Sequence, residues 1–480
     1  MADNLDIFDL CIIGSGSGVS LIDDDLNDWK IAIIDNGTGI TQAFGGTCLN
    51  AGCIPTKMFA IPARYASIAQ RASEVDVKVT FDSIDYKSLN RRIFTRTDAI
   101  SESGLEGLRK RTNVEVFIGA ASFIDDHHIK VGNRVIEARR IVIAAGSRPR
   151  ILDVDSLHDP DLAPFIHTSE SIMRMPQLPQ KMVICGGGVE AIEFASIYAA
   201  LGVKVSIIAR SDRLIRQHDS SIAQRITDLI AQKVMLRLNQ MIIGAEAADE
   251  GGVVLIARDA EGMEYSYESD CVLIASGRIP NGDQLHLDRA HVEMDDNGFI
   301  VVDDHMRTTQ THIWALGDIC SPPMLKHLAN AQARTVKANL LAEKEGGSLV
   351  TMDDSALPFG IFADPEIAGV GASEDELKRS GQAYIAHEQR YDSVAYGWAM
   401  GDHDELFVKI LANPTDEKIL GAHIIGDNAT ILIQPLVMAM RFDLDLEGFA
   451  RGQFWIHPAL SEIIENAALG ALEKIRSHKN

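Results

Sequence analysis

One arrangement is written into this chain twice, and it constrains the fold more than any other feature. An apolar stretch from Phe8 to Ile13 runs straight into Gly14-Ser15-Gly16-Ser17-Gly18. A second stretch, Lys30 to Ile34, ends in Asp35 about twenty residues later. Much further on, Lys181 to Cys185 runs into Gly186-Gly187-Gly188-Val189-Glu190-Ala191, with Val203 to Ala209 as the matching second strand. Glycines at such a turn let the backbone approach a pyrophosphate at a helix N-terminus, and an acid at the next strand end takes a ribose hydroxyl pair. Each copy also closes alike. Hairpin-like alternation (Ala121 to Ile136, then Val253 to Tyr267) leads to strands ending Ala144-Ala145-Gly146-Ser147-Arg148-Pro149 and Ala275-Ser276-Gly277-Arg278-Ile279-Pro280. A single glycine turn says little; two, each with its hairpin and small-small-glycine close, predict two nucleotide-binding domains. In the first copy Val19 stands at the third glycine position, which is expected to relax helix–strand packing but not the pyrophosphate turn.

At 480 residues the chain is too long for one core, and 38 glycines suit a protein rich in tight strand-to-helix turns. The net charge of −23 repels phosphate backbones and speaks against a nucleic-acid partner. Met1 to Asp9 holds no basic residue, unlike a secretory or transit signal, and no stretch has the roughly 20 apolar residues of a membrane span. The expectation is a cytoplasmic protein with no membrane partner. After Gly346-Gly347 the character changes: strand-like runs (Leu406 to Leu411, Ile419 to Ile425) and apolar helical stretches carry no nucleotide motif, which reads as a third, α+β domain.

The insertion from Gly45 to about Arg111 brings the chemistry. In Gly45-Gly46-Thr47-Cys48-Leu49-Asn50-Ala51-Gly52-Cys53-Ile54-Pro55-Thr56-Lys57, two cysteines form a pair that can open and close as a disulfide. Their spacing, with no second pair elsewhere, does not suit zinc, and no metal is expected. On an ideal helix the sulfurs would point apart, so a bond needs a distorted first turn, which Gly52 permits. The plainer reading is two buried small hydrophobes. In a reducing compartment such a pair is catalytic more often than structural.

With these segments in order, followed by Leu316-Gly317-Asp318 and His457-Pro458 through Glu462, the whole chain resembles the flavoprotein disulfide reductases, the class I pyridine nucleotide-disulfide oxidoreductases. The resemblance implies an α/β protein of two Rossmann-like domains, for FAD and NAD(P), and a C-terminal α+β dimerisation domain. The FAD domain would comprise residues 1–155 and 278–345 with the redox-active cysteine helix, the NADPH domain 156–277, and the interface domain 346–480. Within the family the chain is most similar to the mycothione reductases. That likeness lies in Thr56-Lys57-Met58-Phe59, Leu325-Lys326-His327, Val394-Ala395-Tyr396-Gly397-Trp398-Ala399-Met400 and Arg451-Gly452-Gln453-Phe454-Trp455-Ile456-His457.

The resemblance assigns roles. Gly14, Gly16, Gly46, Thr47 and Gly146 would face FAD, Asp35 its adenosine ribose and Asp318 its ribityl chain; a helix N-cap is the plainer role for Asp318. The helix opening near Lys326 would aim its positive end at the flavin pyrimidine edge. Gly186, Gly188 and Gly277 would face the second nucleotide. The strand there ends Ile208-Ala209-Arg210-Ser211-Asp212-Arg213-Leu214-Ile215-Arg216, with no acid at its tip. Arg210 and Arg216 match positions that grip a 2′-phosphate, which points to NADPH. Lys57 and Glu193 match a buried ion pair beside the flavin, Glu193 also bordering the nicotinamide. Cys53 would lie nearest the flavin as a thiolate, and Cys48 would be the interchange thiol. His457, oriented by Glu462, would be the base, supplied by the partner subunit of a homodimer.

For the substrate, a small disulfide, the tail Ala471 to Asn480 lacks the cysteines of mercuric reductase and the large thioredoxin reductases. A helix read over Val19 to Trp29, with Asp23, Asp24, Asp25 and Asp28, should penalise an anionic disulfide and favour mycothiol disulfide, built on neutral sugar and inositol. Dihydrolipoamide dehydrogenase and glutathione-disulfide reductase are the competing readings, disfavoured by Arg210 with Arg216 and by the acidic helix respectively. A flavin-bearing scaffold without turnover is a third.

Overall fold

The computed structural model describes residues 6–249, 251–401 and 405–479. Two five-stranded parallel sheets share one strand order. In the first, neighbours run 313–315, 141–143, 10–13, 31–35, 114–118; in the second, 166–167, 271–274, 181–185, 204–208, 235–237. The central strands are apolar runs covered on both faces, as parallel strands must be. Only the outermost strand differs in origin. The second sheet takes it from just before the repeat, whereas the first takes it from far downstream, after the second unit has been threaded.

The expected strand from Phe8 to Ile13 is broken at Asp9. Asp6–Phe8 pairs with Arg134–Ala138 in a separate hairpin sheet, and Leu10–Ile13 enters the parallel one. The expected helix over Val19 to Trp29 does not form. Two single 3₁₀ turns, Gly18–Leu21 and Asp24–Leu26, stand in its place, separated by extended backbone at Ile22 and Asp23. The physical reason is the aspartate run. Asp23 caps the second turn, accepting the Asp25 N–H at 3.0 Å, and the carboxylates are drawn outward to cations. Lys337 holds Asp23 and Asp25, and Lys344 holds Asp28 at 2.5 Å. Close packing at this turn is achieved by Gly18 despite Val19, since a Cβ on Gly18 would lie 2.8 Å from Ile12 Cγ2.

The insertion forms three helices: α1 (Gly46–Asn50), α2 (Cys53–Arg71) and α3 (Tyr86–Arg109). The second unit contributes α4 (Val189–Ala200), which opens at the second glycine turn, and α5 (Ser220–Lys233). The chain then returns to the first unit with α6 (Lys326–Glu345). Beyond it, a five-stranded antiparallel sheet in the order 358–361, 367–371, 419–425, 407–412, 385–390 packs against α7 (Ala429–Arg441) and α8 (Glu462–Lys479). One apolar core runs from α2 through α4 into this C-terminal sheet, and a second fills the first unit. No described helix is long and apolar enough to cross a membrane.

Candidate active site

The two glycine turns are superimposable in their logic. Gly14 has φ +105°, and a Cβ there would sit 2.2 Å from the Ala144 carbonyl oxygen; Gly186 has φ +141°, and its Cβ would sit 2.1 Å from that of Ala275. Each closing strand is therefore pressed so tightly on its turn that only glycine fits. Gly46 is fitted to Gly16 in the same manner, with 2.6 Å between a Cβ on Gly46 and the Gly16 Cα. A Cβ on Gly188 would meet nothing within 4 Å, so the N-terminus of α4 is bare main chain open to a ligand.

A cleft of about 1020 Å³ runs from Asp35 past the first glycine turn and Ala144-Ala145-Gly146 to the cysteines and on to α4. Gly14, Gly16, Gly46, Thr47, Gly146 and Asp318 line it, as do Cys48, Cys53, Lys57 and Glu193. Asp35, nearly buried at its strand end, accepts the Ser15 N–H at 2.7 Å and the Gly37 N–H at 2.6 Å. Ser15 Oγ in turn accepts the Gly45 N–H at 2.7 Å, tying the phosphate turn to the start of the cysteine segment. Asp318 sits in a 3₁₀ turn and accepts the Ser147 hydroxyl at 2.7 Å. This elongated cleft, with bare glycine backbone at one end and an acid beyond it, fits an FAD.

Residues 51–52 break the cysteine segment. Ala51 and Gly52 leave helical geometry, so Cys48 lies on α1 and Cys53 opens α2. The break is tight, since a Cβ on Gly52 would come within 3.0 Å of the Thr47 carbonyl oxygen. It brings the Cys48 and Cys53 side chains within reach of each other, close enough for a Cys48 thiol to donate a hydrogen bond to a Cys53 thiolate. That hydrogen bond, followed by the nearby Lys57 charge, lowers Cys53 to about 7; the same bond and burial push Cys48 up. Protonation belongs to the pair, with the anion settled on Cys53.

Beside Cys53, the Lys57 ammonium meets both Glu193 oxygens at 2.9 Å. Glu193 Oε1 also accepts the Phe362 N–H at 2.8 Å, and the Lys57 ammonium stands 4.1 Å from the centre of the Phe362 ring. A carboxylate so satisfied holds its cation in place without an orphaned charge.

Arg210 and Arg216 are exposed and outside the cleft, on the loop between strand 204–208 and α5; neither has a carboxylate within ion-pair distance among the described residues. Gly277 also lies outside the cleft lining, with φ +104°. His457 does not reach its own chain's cleft. Its Nδ1 is 2.8 Å from Glu462 Oε1, which holds Glu462 below the usual carboxylate range, while the ring is 73% exposed. Around it Phe454 and Ile456 are exposed as well.

Sequence reading placed the helix opening near Lys326 but gave its side chain no role; Lys326 donates to Ser17 Oγ at 2.7 Å. Two further cleft groups were missed. Arg278 donates to the Ser147 hydroxyl and carbonyl, both at 2.8 Å. Glu190 stands one helical turn before Glu193, and its signal was available: a carboxylate inside the otherwise apolar run Val189 to Ala200.

Comparison with known proteins agrees with this geometry. Residues 8–333 match the family model for pyridine nucleotide-disulphide oxidoreductases, and 357–468 match that family's dimerisation domain. A mycothione reductase of Mycobacterium tuberculosis is 38% identical, over 97% of this chain and 100% of the relative. A dihydrolipoyl dehydrogenase of Chlamydia muridarum is 31% identical over 97% of each. The HOCl-induced flavoprotein disulfide reductase RclA of Escherichia coli superposes with a TM-score of 0.80 at 25% identity, covering 96% of this chain and 99% of RclA. The chain belongs to the pyridine nucleotide-disulphide oxidoreductase family, as a flavoprotein disulfide oxidoreductase with two Rossmann-like domains and a C-terminal dimerisation domain.

Proposed function

We propose that this enzyme is an NADPH-dependent reductase of mycothiol disulfide, acting as a cytoplasmic homodimer. The observation that carries the disulfide chemistry is the hydrogen-bonded Cys48–Cys53 pair beside Lys57 and Glu193 in a dinucleotide-sized cleft. We assign 1–155 with 278–345 to FAD, 156–277 to NADPH and 346–480 to the interface.

Bound FAD supplies the two-electron relay between nicotinamide and sulfur. Gly14, Gly16, Gly46, Thr47, Asp35, Gly146 and Asp318 hold it; Gly186, Gly188, Glu193 and Gly277 border the NADPH. Lys57 keeps Cys53 anionic, and Glu193 keeps Lys57 in place. Cys48 attacks one sulfur of the substrate, forming a mixed disulfide while the other half leaves as a thiolate. His457 of the partner subunit, oriented by its Glu462, takes the Cys48 proton as Cys48 attacks and returns it to the leaving thiolate. Cys53 then attacks Cys48, releasing the second thiol and restoring the internal disulfide. The exposed His457 with its apolar neighbours supports a shared site.

Two observations bear on specificity. The unpartnered Arg210 and Arg216 support a 2′-phosphate, hence NADPH. Mycothiol rests on the full-length likeness to mycothione reductase, because three of the four aspartates that suggested a neutral substrate are spent on Lys337 and Lys344, and Asp24 stands 3.6 Å from Arg111. The test is NADPH oxidation by the purified yellow protein with mycothiol disulfide, glutathione disulfide and lipoamide side by side. Turnover with mycothiol disulfide alone is expected; turnover with either of the others alone replaces the substrate and keeps the mechanism.

A further inference from the structure

The cleft changes sign where it reaches α4. Glu170, Glu190 and Glu193 all line this end, against the two cations Lys57 and Arg278. The cations are already engaged. Lys57 is closed onto Glu193, and Arg278 is anchored twice to Ser147, leaving its guanidinium 3.7 Å from Glu190 in a loose ion pair. Burial and the neighbouring carboxylates raise Glu190, and burial raises Glu170, as expected where negative charge is in excess.

What meets this end follows from the fold. The nucleotide's pyrophosphate belongs at the bare N-terminus of α4, and its redox ring must reach the half of the cleft built by the first glycine turn and the cysteines. Val189, Glu190 and Glu193 in the first turns of α4, lining the same cleft as Lys57 and Cys53, lie on that route. The ring exists in two charge states: the dihydronicotinamide is neutral and the oxidised nicotinamide is a cation.

We propose that Glu190, with Glu170 behind it, is a charge-specific nicotinamide subsite that holds the oxidised cofactor more tightly than the reduced one. The inference rests on the second glycine turn binding a pyridine nucleotide, and its test on that nucleotide being the 2′-phosphorylated one; it does not depend on the disulfide substrate. A carboxylate in a half-buried site favours the cationic ring by about tenfold, after Arg278 has offset part of its charge.

The test is equilibrium binding to the FAD-loaded enzyme, comparing wild type with Glu190→Gln. NADP⁺ and adenosine 2′,5′-bisphosphate, which lacks the ring, are titrated by quenching of protein fluorescence, and NADPH inhibition of the bisphosphate is measured anaerobically after flavin reduction. NADP⁺ is expected to weaken about tenfold, while NADPH and the bisphosphate stay within twofold. Glu190→Asp should keep most of the NADP⁺ affinity. Equal losses for NADP⁺ and NADPH, or no loss for either, overturn the proposal and leave Glu190 as a tether for Arg278. A loss for the bisphosphate would instead indicate a distorted α4 and also overturn it. If no nucleotide binds wild type, the reading of the second glycine turn fails first, and the two failures are distinguishable.

Discussion

In both nucleotide units the first glycine is fixed by the carbonyl of the closing strand, at Ala144 in one and Ala275 in the other. One strand later they diverge. The first unit ends its second strand in Asp35, buried and holding two main-chain N–H groups; the second ends in Ala209 and the exposed Arg210. Phosphate approach is thus a property of the backbone, which both copies keep. On the proposed cofactor assignment, discrimination between ribose hydroxyls and a 2′-phosphate is a side-chain property at one strand tip, which each copy sets alone. The cysteine segment extends the difference, since only the first unit received an insertion after its second strand.

Six substitutions bear on this division. Cys48→Ser should lower disulfide turnover at least about a thousandfold, while anaerobic bleaching of the bound flavin by NADPH persists. If turnover survives, the interchange role is misassigned. Gly14→Ala and Gly186→Ala should each cost about 2–4 kcal/mol of local fit, with opposite readouts. The first should yield colourless protein. The second should yield yellow protein that no longer binds NADPH. Identical phenotypes would break the idea that the copies serve different cofactors.

Arg210→Ala and Arg216→Ala should each raise the KM for NADPH about tenfold to a hundredfold and leave that for NADH unchanged. Equal effects on both nucleotides would remove the 2′-phosphate contact. The smallest effect concerns Cys53. Because its folded value is lowered to about 7, alkylation of the dithiol enzyme should rise with pH through that region, the thiolate dominating above it. Lys57→Met removes a charge that favours the thiolate, so the profile should move to higher pH and the rate at pH 7 fall about twofold to threefold.

Strands such as Lys181–Cys185 and Ile419–Ile425 could be read to the residue, because an unbroken apolar run bounded by glycine or polar residues has few other solutions. The cysteine pair, Lys57 with Glu193, and His457 with Glu462 were legible as motifs, and the structure joins the second as an ion pair and the third by a hydrogen bond. The segment Val19 to Trp29 was misread for a reason no local rule contains. Its aspartates are held by Lys337 and Lys344, more than 300 positions away in the chain. Arg278 was hidden similarly, since its partner Ser147 belongs to the other copy's closing turn. The proposed relation of Cys48 to His457 of the partner subunit would lie between two chains, so neither one alone displays it.

Glu193 takes one hydrogen-bonded partner from α2 and another from the C-terminal strand region at Phe362, while itself standing on α4. Three separately coloured threads are knotted at this single carboxylate. Loosening any one of them weakens the hold on Lys57, and with it part of the bias toward a Cys53 thiolate. The reactivity of the sulfur is thereby coupled to the packing of three distant stretches of chain, and should dim as that packing slackens.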